Sequence, residues 1–535
     1  MSLKFDTFCR HAAHGRLADV QEMLESDELR GNGDLNEALV RAAENGHVEV
    51  VDYLLRQAMF DPSADGNRAI QEAAKRGRLA VVERLLQDAR VDPSAVDSAV
   101  QWAALCGHLA VVERLLQAER VDPSTEDNCA IRLAAWNGHL AVVERLLQDR
   151  RVDPSANRND AIRQAAARGH LAVVELLLQD VRVDPSADGN GAVRWAAEYG
   201  HVAVVERLLQ DVLVDPSADG NYAVRMAAAN GHHAVVERLL MDERVHPSAN
   251  NNYAIRYAAG NGHVAVVERL LQDKRVDPSA DDNYAVRRAA EKGHLAVVER
   301  LLQDKRVDPS ARHNYAVQLA AEYSHVAVIE RLLQDPRVDP SVRHNYAVRL
   351  AAANGRLAVV ERLLQHKRVD PSANNNDAIQ HAANNGHVAV IDRLLQDERV
   401  DPSAQNNLAV RSAAARGQLA VIDRLLQDKR VDPSADDNNA VRRAARNGHF
   451  AVVDRLLEDG RVDAAVAIQC SRPENRRRFE CRERLTEICI ALQDLALPAW
   501  VTIKILRAAR PWSTLPLHSK WSLVCAVKHY HDKKQ

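Results

Sequence analysis

A glycine returns along this chain at a nearly constant step. It stands at Gly15, Gly46, Gly77, Gly107, Gly138, Gly169, Gly200, Gly231, Gly262, Gly293, Gly355, Gly386, Gly417 and Gly448, with Ser324 holding one place in the series. The step is 31 residues throughout, except for 30 between Gly77 and Gly107. A fixed period of this size marks a stack of repeats, each one a supersecondary unit that cannot bury its apolar face alone. The missing residue falls in VDPSAVDSAV, a loop, where a deletion is tolerated best. The chain has 535 residues, far more than one core ordinarily serves, and the period says how it is divided.

One repeat, Arg275 to Lys305, reads RVDPSADDNYAVRRAAEKGHLAVVERLLQDK. Asn283 precedes the run YAVRRAAEK, as Asn67, Asn128, Asn159, Asn190 and Asn221 precede theirs. Asparagine is a favoured N-cap, so this column is expected to cap the first helix with its side chain. Gly293 supplies the left-handed residue that ends that helix. In the second helix, Val297, Leu301 and Leu302 fall on one stripe, and Glu299, Arg300 and Gln303 lie off it. Pro278 then interrupts, since it fixes its own φ and extends the residue before it. Each repeat is therefore helix, tight turn, helix, extended loop. Ala289 and Ala290 are small enough to let the next repeat approach closely. Hydrophobic content of 46% with only 4% aromatic residues suits many thin interfaces rather than one thick core. The expected fold is all-α: about fifteen helix-turn-helix units in a solenoid, on the order of 150 Å long at roughly 10 Å per helix layer.

The stretch YAVRRAAEKGHLAVVERLLQDK resembles the ankyrin repeat, whose pattern is TPLHxAAxxGHxxVVxxLLxxGA. The segment AAxxGHxxVVxxLL is kept, and the resemblance extends over residues 4–470. The family's TPLH is replaced here by text such as NYAVR, which puts the Asn cap where the family has a Thr–His bond. The period also falls short of the family's usual value of about 33, so the β-hairpin fingers of ankyrin repeats are expected to be shorter or absent. The loop text RVDPSADDN resembles a 31-residue variant abundant in amoebae, chytrid-like fungi and giant viruses. The expected domains are a solenoid over 1–470, opened by a capping repeat at 1–34, and a separate segment over 471–535.

Columns compared down the stack separate architecture from candidate sites. The histidine after the glycine (His47, His108, His139, His170, His201, His263, His294) is fixed. Neighbours in that column lie about 10 Å apart, and zinc ligation needs about 2 Å, so a structural role is expected. The resemblance implies a bond to neighbouring backbone. The Arg and Asp of RVDPS, such as Arg151 with Asp153, suggest ion-pair ladders between loops. Among the free columns, Tyr222, Tyr253, Tyr284, Tyr315 and Tyr346 occupy one position in five consecutive repeats. They either stack on one another or touch a partner. In ankyrin proteins the residues just before the glycine face the concave groove. By that resemblance Trp136, Glu198, Tyr199, Glu291, Lys292, Glu322 and Tyr323 are candidate partner contacts.

Beyond the repeats, helical runs are expected near 474–495, 498–509 and 517–531. Trp500, Trp512 and Trp521 could give this piece a small core or let it cap the last repeat. LPAWVTIKIL, from Leu497 to Leu506, resembles the LPxExxxxIL opening of an F-box, with Trp500 in the glutamate's place. LPLHSKW, from Leu515 to Trp521, is similar to the LPLP stretch of SOCS boxes. These resemblances imply docking of a ubiquitin-ligase adaptor through 497–531, with Leu497, Pro498, Trp500, Ile505, Leu506 and Trp521 as its contacts.

The net charge of −3, with 27% charged residues of both signs, argues against nucleic acid or an anionic membrane as partner. Seven cysteines without paired spacing suit reduced thiols in the cytoplasm or nucleus. The opening MSLKFDTFCRHAAHGR has no apolar run of the signal-peptide kind, and no run approaches a membrane span of about 20 residues. No nucleophile elbow, zinc-protease helix or phosphate loop is present, so no enzyme and no cofactor is expected. The sequence points to a monomeric scaffold that binds another protein. The alternative is a substrate receptor of a cullin-type ubiquitin ligase. A third reading, base-by-base RNA recognition, lacks the basic track it needs.

Overall fold

A computed structural model describes residues 2–26, 35–91, 93–463 and 466. The described residues form thirty helices, from Ser2–Ala13 to Phe450–Leu457, and no strand. The chain divides into two compact blocks, residues 1–281 and 282–535, and in each the described residues form an all-α stack of helix pairs. Capping-repeat residues 27–34 and the whole segment 471–535 lie outside the described residues, and so do the candidate adaptor contacts.

Within a repeat the local chemistry follows the sequence closely. The helix Thr125–Asn137 ends on Gly138 at φ 76°, a left-handed residue that costs glycine nothing. His139 N–H then reaches back to the Ala134 carbonyl at 3.0 Å, and the next helix, Leu140–Leu147, begins at once. That helix buries Val142, Val143 and Leu146. Each buried aliphatic side chain of this kind stabilises by about 2 kcal/mol. In Leu295–Leu302 the buried stripe is Val297, Val298 and Leu301. Leu302, expected on that stripe, lies at its half-buried margin. Ala134 and Ala135 are fully buried, which lets successive first helices pack more closely than successive second helices.

The asparagine column does something other than capping. The helix Ala156–Arg168 opens through three left-handed residues, Asn157 (φ 50°), Arg158 (φ 57°) and Asn159 (φ 58°), and carries no side-chain cap bond. The Asn159 Oδ1 instead accepts the Asp184 N–H of the following repeat at 2.8 Å. Asn128 accepts from Asp153 at 2.7 Å in the same way. Left-handed L-residues cost about 1–2 kcal/mol each. Asn159 N–H bonding to the Ser155 carbonyl at 2.8 Å, together with the bond to the next repeat, offsets part of that. In the repeat that is one residue short, Asp97 takes over the role, accepting from Asp122 N–H at 2.7 Å.

The loop arginines likewise do not form a continuous ladder with the Asp of RVDPS; Arg368 with Asp339, at 3.8 Å, is one such pair between neighbouring loops. Arg151 grips Asp149, two residues earlier in its own loop, with Nε and Nη2 at 3.0 and 2.7 Å. Its Nη1 donates to the Val121 carbonyl one repeat back at 2.6 Å. Asp153 turns inward and accepts from the N–H and hydroxyl of Ser155 at 2.9 and 2.7 Å. The hydrogen bond from Arg151 holds the Asp149 carboxyl below its ordinary range.

The histidines tie neighbouring repeats together, as expected. His170 Nε2 donates to the Trp136 carbonyl at 2.9 Å, and a Cβ added to Gly138 would come within 2.5 Å of its Nδ1. The glycine is thus required twice over, by its φ and by the ring lying on it.

Candidate functional site

The variable positions gather on the first helices and the turn that follows them. The tyrosine column is half-buried, and its rings do not stack on one another from repeat to repeat among the described contacts; arginines are interleaved instead, three residues further along every one of these helices except that of Tyr315, where Gln318 stands. The Arg225 guanidinium lies 5.7 Å from the Tyr222 ring and 5.2 Å from the Tyr253 ring. In the second block Arg287 stands between Tyr284 at 5.6 Å and Tyr315 at 5.9 Å, and Arg349 lies over Tyr346 at 5.7 Å. A cation over a ring face is attracted by its quadrupole, by about 0.5–1 kcal/mol at exposed sites. Tyr253 does stack on a tyrosine, Tyr257 of its own helix, with centroids 3.9 Å apart.

Where tyrosine gives way to aspartate, the same arginine column finds a carboxylate. Arg132 pairs with Asp160 at 3.1 Å, and Arg349 pairs with Asp377 as well as covering Tyr346. Tyr222, Tyr253 and Tyr315 each face an arginine of the preceding repeat, Arg194, Arg225 and Arg287, while the arginines over Tyr284 and Tyr346 come from the same helix. Tyr222 adds a further tie, its hydroxyl donating to Glu198 Oε2 at 2.9 Å. Burial, and then the bond to Glu198, push that phenol above its ordinary value. The arginine column went unread in the sequence, although its recurrence three places after the tyrosines is visible there.

The residues before the glycine divide sharply. Where the position is asparagine its side chain serves the architecture: Asn230 donates to the Glu198 carbonyl of the preceding repeat at 2.9 Å and Asn261 to the Ala229 carbonyl at 2.8 Å, while Asn45 and Asn137 turn back on their own helices. Tyr199 and Tyr323 instead stand 58% and 49% exposed, with Trp136 40% exposed and Lys292 also exposed. Arg168 lies 5.2 Å from the Trp136 ring and leaves much of it open. The carboxylates beside them are less available. Glu198 holds Tyr222, Glu291 is bound to Arg288 at 2.5 Å, and Glu322 is half-buried.

Among the described residues no helix is long and apolar enough to cross a membrane, and no three His, Cys, Asp or Glu converge on a metal position.

Comparison with known families agrees with the geometry. A model built from three copies of the ankyrin repeat matches in ten overlapping windows, from residues 8–97 through to 379–467. Comparison with curated proteins gives no significant match. Helix pairs closed by a left-handed glycine, the AAxxGHxxVVxxLL text and these matches over residues 8–467 lead to one conclusion: the chain belongs to the ankyrin-repeat family.

Proposed function

We propose that the protein is a non-enzymatic scaffold that holds a partner protein against its first-helix face. One observation carries this reading. Tyr199 in the first block and Tyr323 in the second stand where asparagine elsewhere serves the stack, Trp136 stands one residue earlier in its own repeat, and all three present aromatic surface to solvent. Aromatic anchors beside charge dominate the energetics of protein interfaces. In a chain with only 4% aromatic residues, their placement on two adjacent columns is informative. The remaining candidates, Lys292 and the half-buried Glu198, Glu291 and Glu322, supply a charged border. Ankyrin repeats in general serve as protein-interaction modules, which supports protein rather than RNA as partner.

Proximity labelling in cells with the full chain and with a triple variant, W136A/Y199A/Y323A, tests this. A set of neighbours lost in the variant, at unchanged circular dichroism, is the expected result. An identical set would sink the proposal.

A second reading is kept by the sequence LPAWVTIKIL alone, in the segment outside the described residues. There the chain acts as a substrate receptor, with Leu497, Pro498, Trp500, Ile505, Leu506 and Trp521 holding an adaptor of a cullin-type ligase. Co-precipitation of the full chain, but not of a 1–470 truncation, with such an adaptor is its test; equal recovery or none rejects it. Both readings place the protein in the cytoplasm or nucleus.

A further inference from the structure

The loop after the second helix repeats one arrangement, and one loop departs from it in a chemically specific way. Arg182 grips Asp180 and reaches the Val152 carbonyl at 2.8 Å; Arg244 grips Asp242 and reaches the Val214 carbonyl at 2.8 Å. Other irregular loops lose the carboxylate: Ala118 accompanies Arg120, His366 accompanies Arg368, and Gln57 accompanies Met59. Among the described loops, one keeps the carboxylate and lacks the arginine: Asp211, with Leu213 in the arginine's place. The Asp211 Oδ1 accepts the Leu213 N–H at 3.0 Å, as its counterparts accept the arginine N–H, but position 213 offers no guanidinium. Val183, whose carbonyl would be the third acceptor, is 9% exposed where Val152 and Val214 are 1% and 0%.

The surroundings of this vacated seat have changed with it. Val181 and Val212 are 99% and 92% exposed, at a loop position that elsewhere holds mostly charged residues such as Glu119, Arg150, Glu243 and Lys274, with Ala58, Ala89, Pro336 and Gly460 the uncharged ones. Met241, at the end of the next second helix, replaces a recurring glutamine and is 65% exposed. A single exposed apolar residue means little, but apolar replacements at corresponding places in consecutive repeats mark an interaction surface. The chain is its own control, since the same architecture elsewhere is built with tips that are mostly charged and never carry a large apolar side chain.

We propose that this edge docks a partner protein through an arginine flanked by apolar side chains, whose guanidinium takes on Asp211 the place that Arg182 takes on Asp180. The charge complementarity is set by the chain's own pattern. A carboxylate of this geometry is met elsewhere by a bidentate guanidinium, the strongest of the common charge-assisted pairings. The apolar flanks would cover Val181, Val212 and Leu213. The surface shares no residue with the first-helix face, so either can fail without the other.

The test uses the full chain, immobilised and panned with a phage-displayed random peptide library, each round depleted on Leu213→Arg. That variant restores the seat's own arginine and with it the pattern of the neighbouring loops, so its fold is retained while the site is filled. The expected survivors share an arginine beside an apolar residue. A synthetic survivor should bind the full chain in solution, weaken by about tenfold or more on Asp211→Asn, and weaken again when its arginine becomes lysine, which offers no fork. It should not bind Leu213→Arg. Survivors with no shared arginine, or equal binding to Leu213→Arg, overturn the proposal. So does concentration-dependent dimerisation abolished by Leu213→Arg, which would assign the edge to a second copy of the chain.

Discussion

In the second block, the joint between Gly293 and His325 and the joint between Ser324 and Arg356 lie one repeat apart and are built differently. At the first, the imidazole lies on the glycine so closely that a Cβ would collide with Nδ1, and its Nε2 donates to the Glu291 carbonyl at 2.9 Å. At the second, the residue is a serine at φ 71°, and the following repeat offers a flexible arginine, whose Nε reaches the Glu322 carbonyl at 3.2 Å. The carbonyl is satisfied in both. The difference separates two demands that glycine normally meets together. One is conformational and remains at Ser324; the other is steric and disappears when the ring does.

The largest expected effect comes from forcing the two joints to match. Gly293→Ser should cost about 2–4 kcal/mol, joining a left-handed penalty of about 1–2 kcal/mol to displacement of the ring and its bond. Urea unfolding followed by hydrogen exchange over residues 295–333 measures it. A loss under about 1 kcal/mol would mean that the imidazole imposes no steric demand. Adding His325→Arg to that variant should return about 1–2 kcal/mol, as a double-mutant cycle would resolve. Strict additivity would make the Ser324–Arg356 combination an accident. Ser324→Gly should raise stability by about 1 kcal/mol, because only the left-handed cost is relieved; a loss would show that the hydroxyl has a role.

The smallest effect compares two loops of the same block by pH. The hydrogen bond from Arg337 holds the Asp335 carboxyl below its ordinary 3.8, so that loop loses stability only as pH falls below that value. One repeat on, burial and then the charge of Arg368 hold the His366 imidazole below 6.5. The neutral ring is the folded form there, and its contribution, present above pH 6.5, is lost as pH falls through the lowered value. Exchange rates corrected for intrinsic pH dependence should therefore rise around residues 366–369 at about pH 5 while those at 335–338 hold. His366→Asp should remove the contrast.

The helix pairs, the left-handed glycine and the histidine's structural role could be read from the sequence because each depends on local chemistry repeated many times. Three features could not. Asn157–Arg158–Asn159 reads as a cap region, and no local preference places arginine at φ 57°; the Asn159 bond into the next repeat helps set it there. Arg151 has carboxylates two residues away on both sides, and spacing alone does not say that it takes Asp149 and leaves Asp153 to Ser155. The tyrosines suggested rings meeting rings, and the arginines between them emerge only when the helices are stacked. Of the candidate surface, Trp136, Tyr199, Lys292 and Tyr323 are exposed. Their carboxylate neighbours are occupied by contacts that a single row of letters does not display, as Glu198 is by Tyr222.

The bonds that the histidine, loop-arginine and asparagine columns make between repeats run one way, whereas Arg132 to Asp160 and Arg349 to Asp377 run the other. The His170 ring, the Arg151 guanidinium and the Asp184 amide are donors in a later repeat, and each meets an acceptor already present in the earlier one. At those three columns a growing stack therefore ends in bare oxygens, which water satisfies cheaply. Each repeat leaving the ribosome finds a finished template waiting, so synthesis and assembly share a direction within each block. A fragment begun in mid-stack would start at the costly end of every such joint.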